Sequence, residues 1–228
     1  MRDPLRFATF ELRTTDVDGA RTFYSDVLGA GLPPISPLHE RARALGAPAH
    51  WLGHVAVPDL EKVIAQFVQH GGQQLGPLTT TADGAPLAVM RDPFGSVIGI
   101  RAFTEERSSM AWHQLHTVDQ EKALDFYNAV FGWRGVDALA NGEDRFLVFA
   151  WDSVHPPVGT IANTARIAGV HPHWLFYFDV DDLDAAIARA TERGAEVIRG
   201  PFRGPRGSRI AVLHDPQRAE LGLREKSS

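Results

Sequence analysis

The sequence contains no cysteine. That excludes disulfides, thiol nucleophiles and thiolate-bound zinc or iron–sulfur centres. Long apolar runs are missing too, since no stretch approaches the roughly 18 uninterrupted apolar residues of a membrane-spanning helix. The opening MRDPLRFATF lacks the apolar core of a secretory signal, so a cytoplasmic protein is expected, without a membrane partner. Positive charge is in deficit, with 23 Lys and Arg against 28 Asp and Glu. A net charge of −5 argues against nucleic acid as partner. Neither a GxSxG nucleophile elbow nor a phosphate loop entering a helix is present.

What is present is repetition. Residues 11–29 read ELRTTDVDGARTFYSDVLG, and residues 114–132 read QLHTVDQEKALDFYNAVFG. The alignment pairs Glu11 with Gln114, Asp16 with Asp119, Tyr24 with Tyr127 and Gly29 with Gly132. Further along, His50-Trp51-Leu52 repeats as His173-Trp174-Leu175, and Asp92-Pro93 as Asp215-Pro216. The offset has by then grown from 103 to 123 residues, so the first half is shorter between its first helix and its HWL segment. Two domains are expected over 1–105 and 110–226, joined by the polar linker EERSSM (105–110).

Each half repeats again, more faintly. Ala20, Phe23, Tyr24, Val27 and Leu28 follow the spacing of an amphipathic helix, with Asp16 as N-cap and Gly29 as stop. Leu60 to Val68, Ala123 to Phe131 and Leu183 to Ala190 follow the same pattern. Strand-like runs precede each helix, and turn-separated strands such as PLAVM and SVIGIRAF follow the later ones. The order is β-α-β-β-β in four modules, an α+β architecture. The first module, with only residues 31–49 ahead of HWL against 134–172 in its counterpart, is expected to lack a full hairpin.

The TxD–xxxA–xxFY–xxxFG opening, the VxDL helix start and the DP strand near each half's end resemble the vicinal oxygen chelate superfamily. Its members include glyoxalases, bleomycin-resistance proteins and extradiol dioxygenases. The resemblance covers nearly the whole chain and implies paired βαβββ modules whose curved sheets wrap a cavity for a small organic molecule, in a monomer or homodimer. It also implies where metal ligands would stand: Thr9, Leu52 and Gly99 in the first half, Trp112, Leu175 and Gly222 in the second. None of these is a good ligand for a divalent ion, so no metal site and no cofactor is expected.

Two residues onward along the same strand faces stand Glu11, His54 and Arg101, then Gln114, Tyr177 and Arg224. Glu11 and His54 are the candidate proton-transfer residues, with an ion pair from Glu11 to Arg101 or His54 as the structural alternative. Arg101, Gln114, His116, Tyr177, Arg224 and Trp112 are the candidate substrate contacts, with Phe149 or Trp151 as further cavity aromatics. His116 corresponds to Arg13, polar in both halves. His50 and His173, recurring before Trp, read as scaffold. The Phe-Tyr pairs of the first and third helices read as packing, and the arginines of RGPFRGPRGSR (199–209) as either an anion-binding mouth or a solvated hairpin turn. Three functions follow from the resemblance. One is an enzyme acting on a small organic molecule without the usual metal. The others are a sequestering protein of the bleomycin-resistance type and a metal-dependent lyase or dioxygenase with displaced ligands.

Overall fold

The computed structural model describes residues 4–29, 31–44, 46–81, 83–102, 110–141, 144–204 and 207–226. The expected linker lies outside them except for Met110.

Four helices are built alike. α1 (Val17–Leu28), α3 (Leu60–Gln69), α4 (Gln120–Phe131) and α5 (Leu183–Glu192) are each N-capped by an aspartate. Asp16, Asp59, Asp119 and Asp182 accept a backbone N–H from the first turn at 2.9–3.1 Å, which satisfies a donor the helix itself cannot. α1 and α4 stop at Gly29 and Gly132, with φ of 82° and 81°, a left-handed backbone that glycine adopts without steric cost. Their buried stripes, Ala20, Phe23, Tyr24 and Val27 in α1, are those the spacing predicts.

Strands from residues 7–102 form one sheet and strands from 112–225 another. In the first sheet the order is β2 (Ile35–Pro37), β1 (Phe7–Thr14), β3 (His50–Val57), β7 (Val97–Ala102), β6 (Pro86–Arg91), β4 (Gln73–Gln74), with β5 (Thr79–Thr80) also on β6. Among the described residues module one supplies only β1, α1, the three-residue β2 and the short α2 (Glu40–Ala44), so it is truncated as expected. In the second sheet the order is β13 (Glu196–Arg203), β14 (Arg209–His214), β15 (Glu220–Glu225), β12 (His173–Val180), β8 (Trp112–His116), β11 (Gly159–Ala162), β10 (Asp144–Ala150), β9 (Arg134–Asn141). The chain is a mixed α+β protein of paired modules. Among the described residues no helix is long and apolar enough to cross a membrane.

Packing divides the chain differently from the sequence repeat. One compact unit comprises Met1–Thr9, Gly53–Ser108 and His113–Trp174, and the other Phe10–Leu52, Ser109–Trp112 and Leu175–Ser228. Repeated motif residues explain the division. In the first unit the Tyr127 hydroxyl donates to Asp92 at 2.8 Å and accepts from the Trp174 indole at 3.1 Å. In the second, Tyr24 donates to Asp215 at 2.9 Å and accepts from Trp51 at 3.1 Å. The other oxygen of each aspartate takes two backbone N–H groups of its own turn. The Tyr of one half is thus locked to the Asp-Pro turn of the other half. The Phe-Tyr pairs are therefore more than packing, because buried tyrosine needs a partner for its hydroxyl. We keep 1–105 and 110–226 as the proposed repeat units, distinct from the packing units.

Phe149 and Trp151 are core residues. Trp133, fully buried, stacks on Phe149 at 5.4 Å and meets Trp151 edge-on at 4.9 Å.

Candidate functional site

Alternation along β12 puts His173, Leu175, Tyr177 and Asp179 on one face of the second sheet. The parallel register Tyr177↔Gly222 and Asp179↔Arg224 adds Glu220, Gly222 and Arg224 of β15 to that face. Alternation along β8 groups Trp112, Gln114 and His116. A ring nitrogen of His116, a ring nitrogen of His173 and a carboxylate oxygen of Glu220 all lie within 4.8 Å of one another. The imidazoles stack, with centroids 4.5 Å apart and planes 12° from parallel.

Neighbouring groups orient both rings. His173 Nδ1–H donates to the His171 carbonyl at 2.8 Å, and His116 Nδ1 sits 2.5 Å from the Thr164 hydroxyl. These bonds at Nδ1 fix the orientation of each ring. Two imidazoles and one carboxylate form the donor set that suits a divalent first-row metal while leaving coordination positions open. The residues fit such an ion.

The expected ligand places hold something else. A Cβ on Gly222 would lie 2.3 Å from Tyr177 Cδ1, and one on Gly99 2.5 Å from His54 Cδ2. Both glycines make room for a ring. Tyr177 is buried, and burial first, then the Glu220 carboxylate, raises its phenol well above the usual value. Arg224 forks onto Asp179 at 2.7 and 3.1 Å. Trp112 and Gln114 are buried on their strand.

The first half carries no such donor set at the equivalent places. The counterparts of His116, His173 and Glu220 are Arg13, His50 and Val97. His50 keeps the orienting bond of its twin, 2.9 Å to the Pro48 carbonyl. Its pKa is lowered mainly by burial, raised by that carbonyl and lowered again by Arg13. A guanidinium and a valine cannot join it around a cation. Glu11 pairs with Arg13 at 3.3 Å. Arg101 is held by Asp83 and by Thr9, whose hydroxyl also lies 3.3 Å from His54 Nδ1.

The candidate metal donors stand at positions whose sequence pattern pointed to other roles. His116 stood among substrate contacts, His173 among scaffold, and Glu220 in no role. The missed signal was the broken symmetry at Arg13/His116 and Val97/Glu220. In the loop 199–209, Arg199 lies over the Phe202 ring at 5.7 Å, and Arg209 pairs with Asp184 at 2.8 Å and Glu225 at 3.5 Å. Arg206 lies outside the described residues.

A family model described as Glyoxalase/Bleomycin resistance protein/Dioxygenase superfamily matches residues 109–223. CFP32 of Mycobacterium tuberculosis, named as a presumed glyoxylase, is 30% identical over 244 residues, covering 92% of this chain and 90% of that protein. The chain belongs to the glyoxalase/bleomycin resistance/dioxygenase superfamily. Another superfamily relative is the anthracycline biosynthesis protein DnrV of Streptomyces peucetius, 28% identical over 188 residues, or 79% of this chain and 67% of that one. The fold matches the 2,3-dioxygenase LapB of Pseudomonas sp. KL28 with a TM-score of 0.68 at 15% identity, over 100% of this chain and 94% of LapB. It also matches the Mn(II)-bound glyoxalase of Novosphingobium aromaticivorans with a TM-score of 0.65 at 14% identity, over 97% and 81% of the two chains. At those identities the likeness shows the fold alone.

Proposed function

We propose that this superfamily member is a metal-dependent enzyme of lyase or dioxygenase type acting on a small oxygen-bearing organic molecule. The observation that carries the reading is the convergence of His116, His173 and Glu220. It favours the metal-dependent alternative over both the metal-free enzyme and the sequestering protein. A bound divalent ion would supply Lewis acidity toward substrate oxygens at its open positions.

The chain's own residues supply the rest. His171 and Thr164 hold the two imidazoles in orientation. Glu220 brings one negative charge, which offsets part of the ion's charge. Tyr177, Leu175 and Gly222 share the strand faces beside the donors, and Tyr177, its phenol raised by burial and by the Glu220 carboxylate, presents a neutral hydroxyl. Gln114 and Trp112, proposed substrate contacts, stand on β8 toward its start from His116. Glu11 and His54, the residues first read as proton carriers, are engaged by Arg13 and Thr9 in the other half.

Manganese titration with electron paramagnetic resonance detection tests the reading. A bound-Mn²⁺ signal is expected, and catechol, a bidentate oxygen ligand, should perturb it. A spectrum of free aqueous Mn²⁺ at all protein concentrations, with Fe²⁺ and Zn²⁺ equally unbound, removes the proposal.

A further inference from the structure

The first half holds a second polar cluster with a different chemistry. Arg101 on β7 is 3% exposed, a burial a guanidinium tolerates only when its charge is answered. One terminal nitrogen donates to Thr9 Oγ1 at 3.3 Å, and the buried Nε has no hydrogen-bond partner among the described residues. The Thr9 oxygen that accepts from Arg101 also lies 3.3 Å from His54 Nδ1. Strands β1, β3 and β7 thus bring a guanidinium, a hydroxyl and an imidazole together in the interior.

The anion opposite them is placed differently. Asp83 stands on the turn between β5 and β6, 41% exposed at its side chain, and reaches Arg101 from there. The Thr81 hydroxyl and the Thr81–Ala85 hairpin bonds hold the turn. Arg101 is thus set in a strand of the sheet, while its carboxylate partner reaches it from a solvent-facing turn.

We propose that Arg101, Thr9 and His54 form a binding site for a small organic carboxylate, which Asp83 occupies as an internal stand-in. An incoming carboxylate would displace Asp83 and take the same charge-assisted contacts with the guanidinium. Nitrogen Nε, unused by Asp83, offers it an additional donor. The site lies in the half without the metal donors, so its occupancy does not depend on the function proposed above.

Calorimetric titration of benzoate and acetate, at ionic strength fixed with chloride, tests this. Asp83→Ala removes the competitor and should bind benzoate at least about tenfold more tightly than the unaltered protein, whose competent fraction is small. Thr9→Val should weaken that binding. Arg101→Gln in the Asp83→Ala background should abolish it, and if that variant does not fold, Arg101→Lys should lose most of the affinity because a point charge lacks the fork. His173→Ala, in the other half, should bind benzoate as before. The proposal fails if Asp83→Ala binds neither acid beyond chloride, if Arg101→Lys retains full affinity, or if His173→Ala loses the binding.

Discussion

In the proposed metal site, His116 and His173 each depend on a neighbour for their orientation. Each imidazole is turned by a bond at Nδ1, to the Thr164 hydroxyl or the His171 carbonyl. Thr164→Val removes one such bond without touching the donor set. Metal affinity should fall about 10- to 100-fold, read as a shift in the manganese titration midpoint. Tyr127 is a second case. Tyr127→Phe leaves the Asp92 carboxylate and the Trp174 indole short of a partner in the interior, a loss of about 1–3 kcal/mol. Urea unfolding should show that loss with an unchanged denaturant slope. The hydroxyl's partner was invisible in the sequence, because helical spacing reports burial and says nothing of a hydrogen bond to a turn 35 residues earlier.

At the scale of the element, α1, α3, α4 and α5 were legible because each carries an aspartate cap, an apolar stripe and, in α1 and α4, a terminal glycine. Asp119→Ala removes the cap of α4 and should lower the unfolding midpoint. Strands were legible as to face but not as to depth. Alternation places Gln114 with His116, Tyr177 with His173, and Arg224 with Glu220 on shared faces, since any even slip preserves the face. It could not say which residue along the face meets its counterparts on neighbouring strands, which depends on inter-strand register. The expected ligands therefore fell on Trp112, Leu175 and Gly222, an even number of residues away from the cluster. Gly222 has its own task. Gly222→Ala would press a methyl onto the Tyr177 ring, and should destabilise by about 1–3 kcal/mol.

For the whole molecule, the two halves share a scaffold but differ at the proposed site. Tyr24–Asp215 and Tyr127–Asp92 are alike, and each locks a packing unit. Arg13 against His116 and Val97 against Glu220 are not alike, and that contrast is the sequence signal behind the proposed metal site. Acid stability should reflect the first half's ion pair. Asp83 is held down to about 2, first by the Thr81 hydroxyl and then by Arg101, from 3.8. A depressed carboxylate stabilises the fold above its unfolded value and loses that contribution as pH falls through its folded one. The stability advantage of the protein over Asp83→Asn should therefore be constant above about pH 5 and shrink toward pH 2. The central claim is that only the second half binds metal, and the twin histidines test it. Manganese binding should saturate at about one ion per chain, vanish in His173→Ala and persist in His50→Ala. Equal binding by His173→Ala and the unaltered protein, or loss of binding in His50→Ala alone, would contradict it.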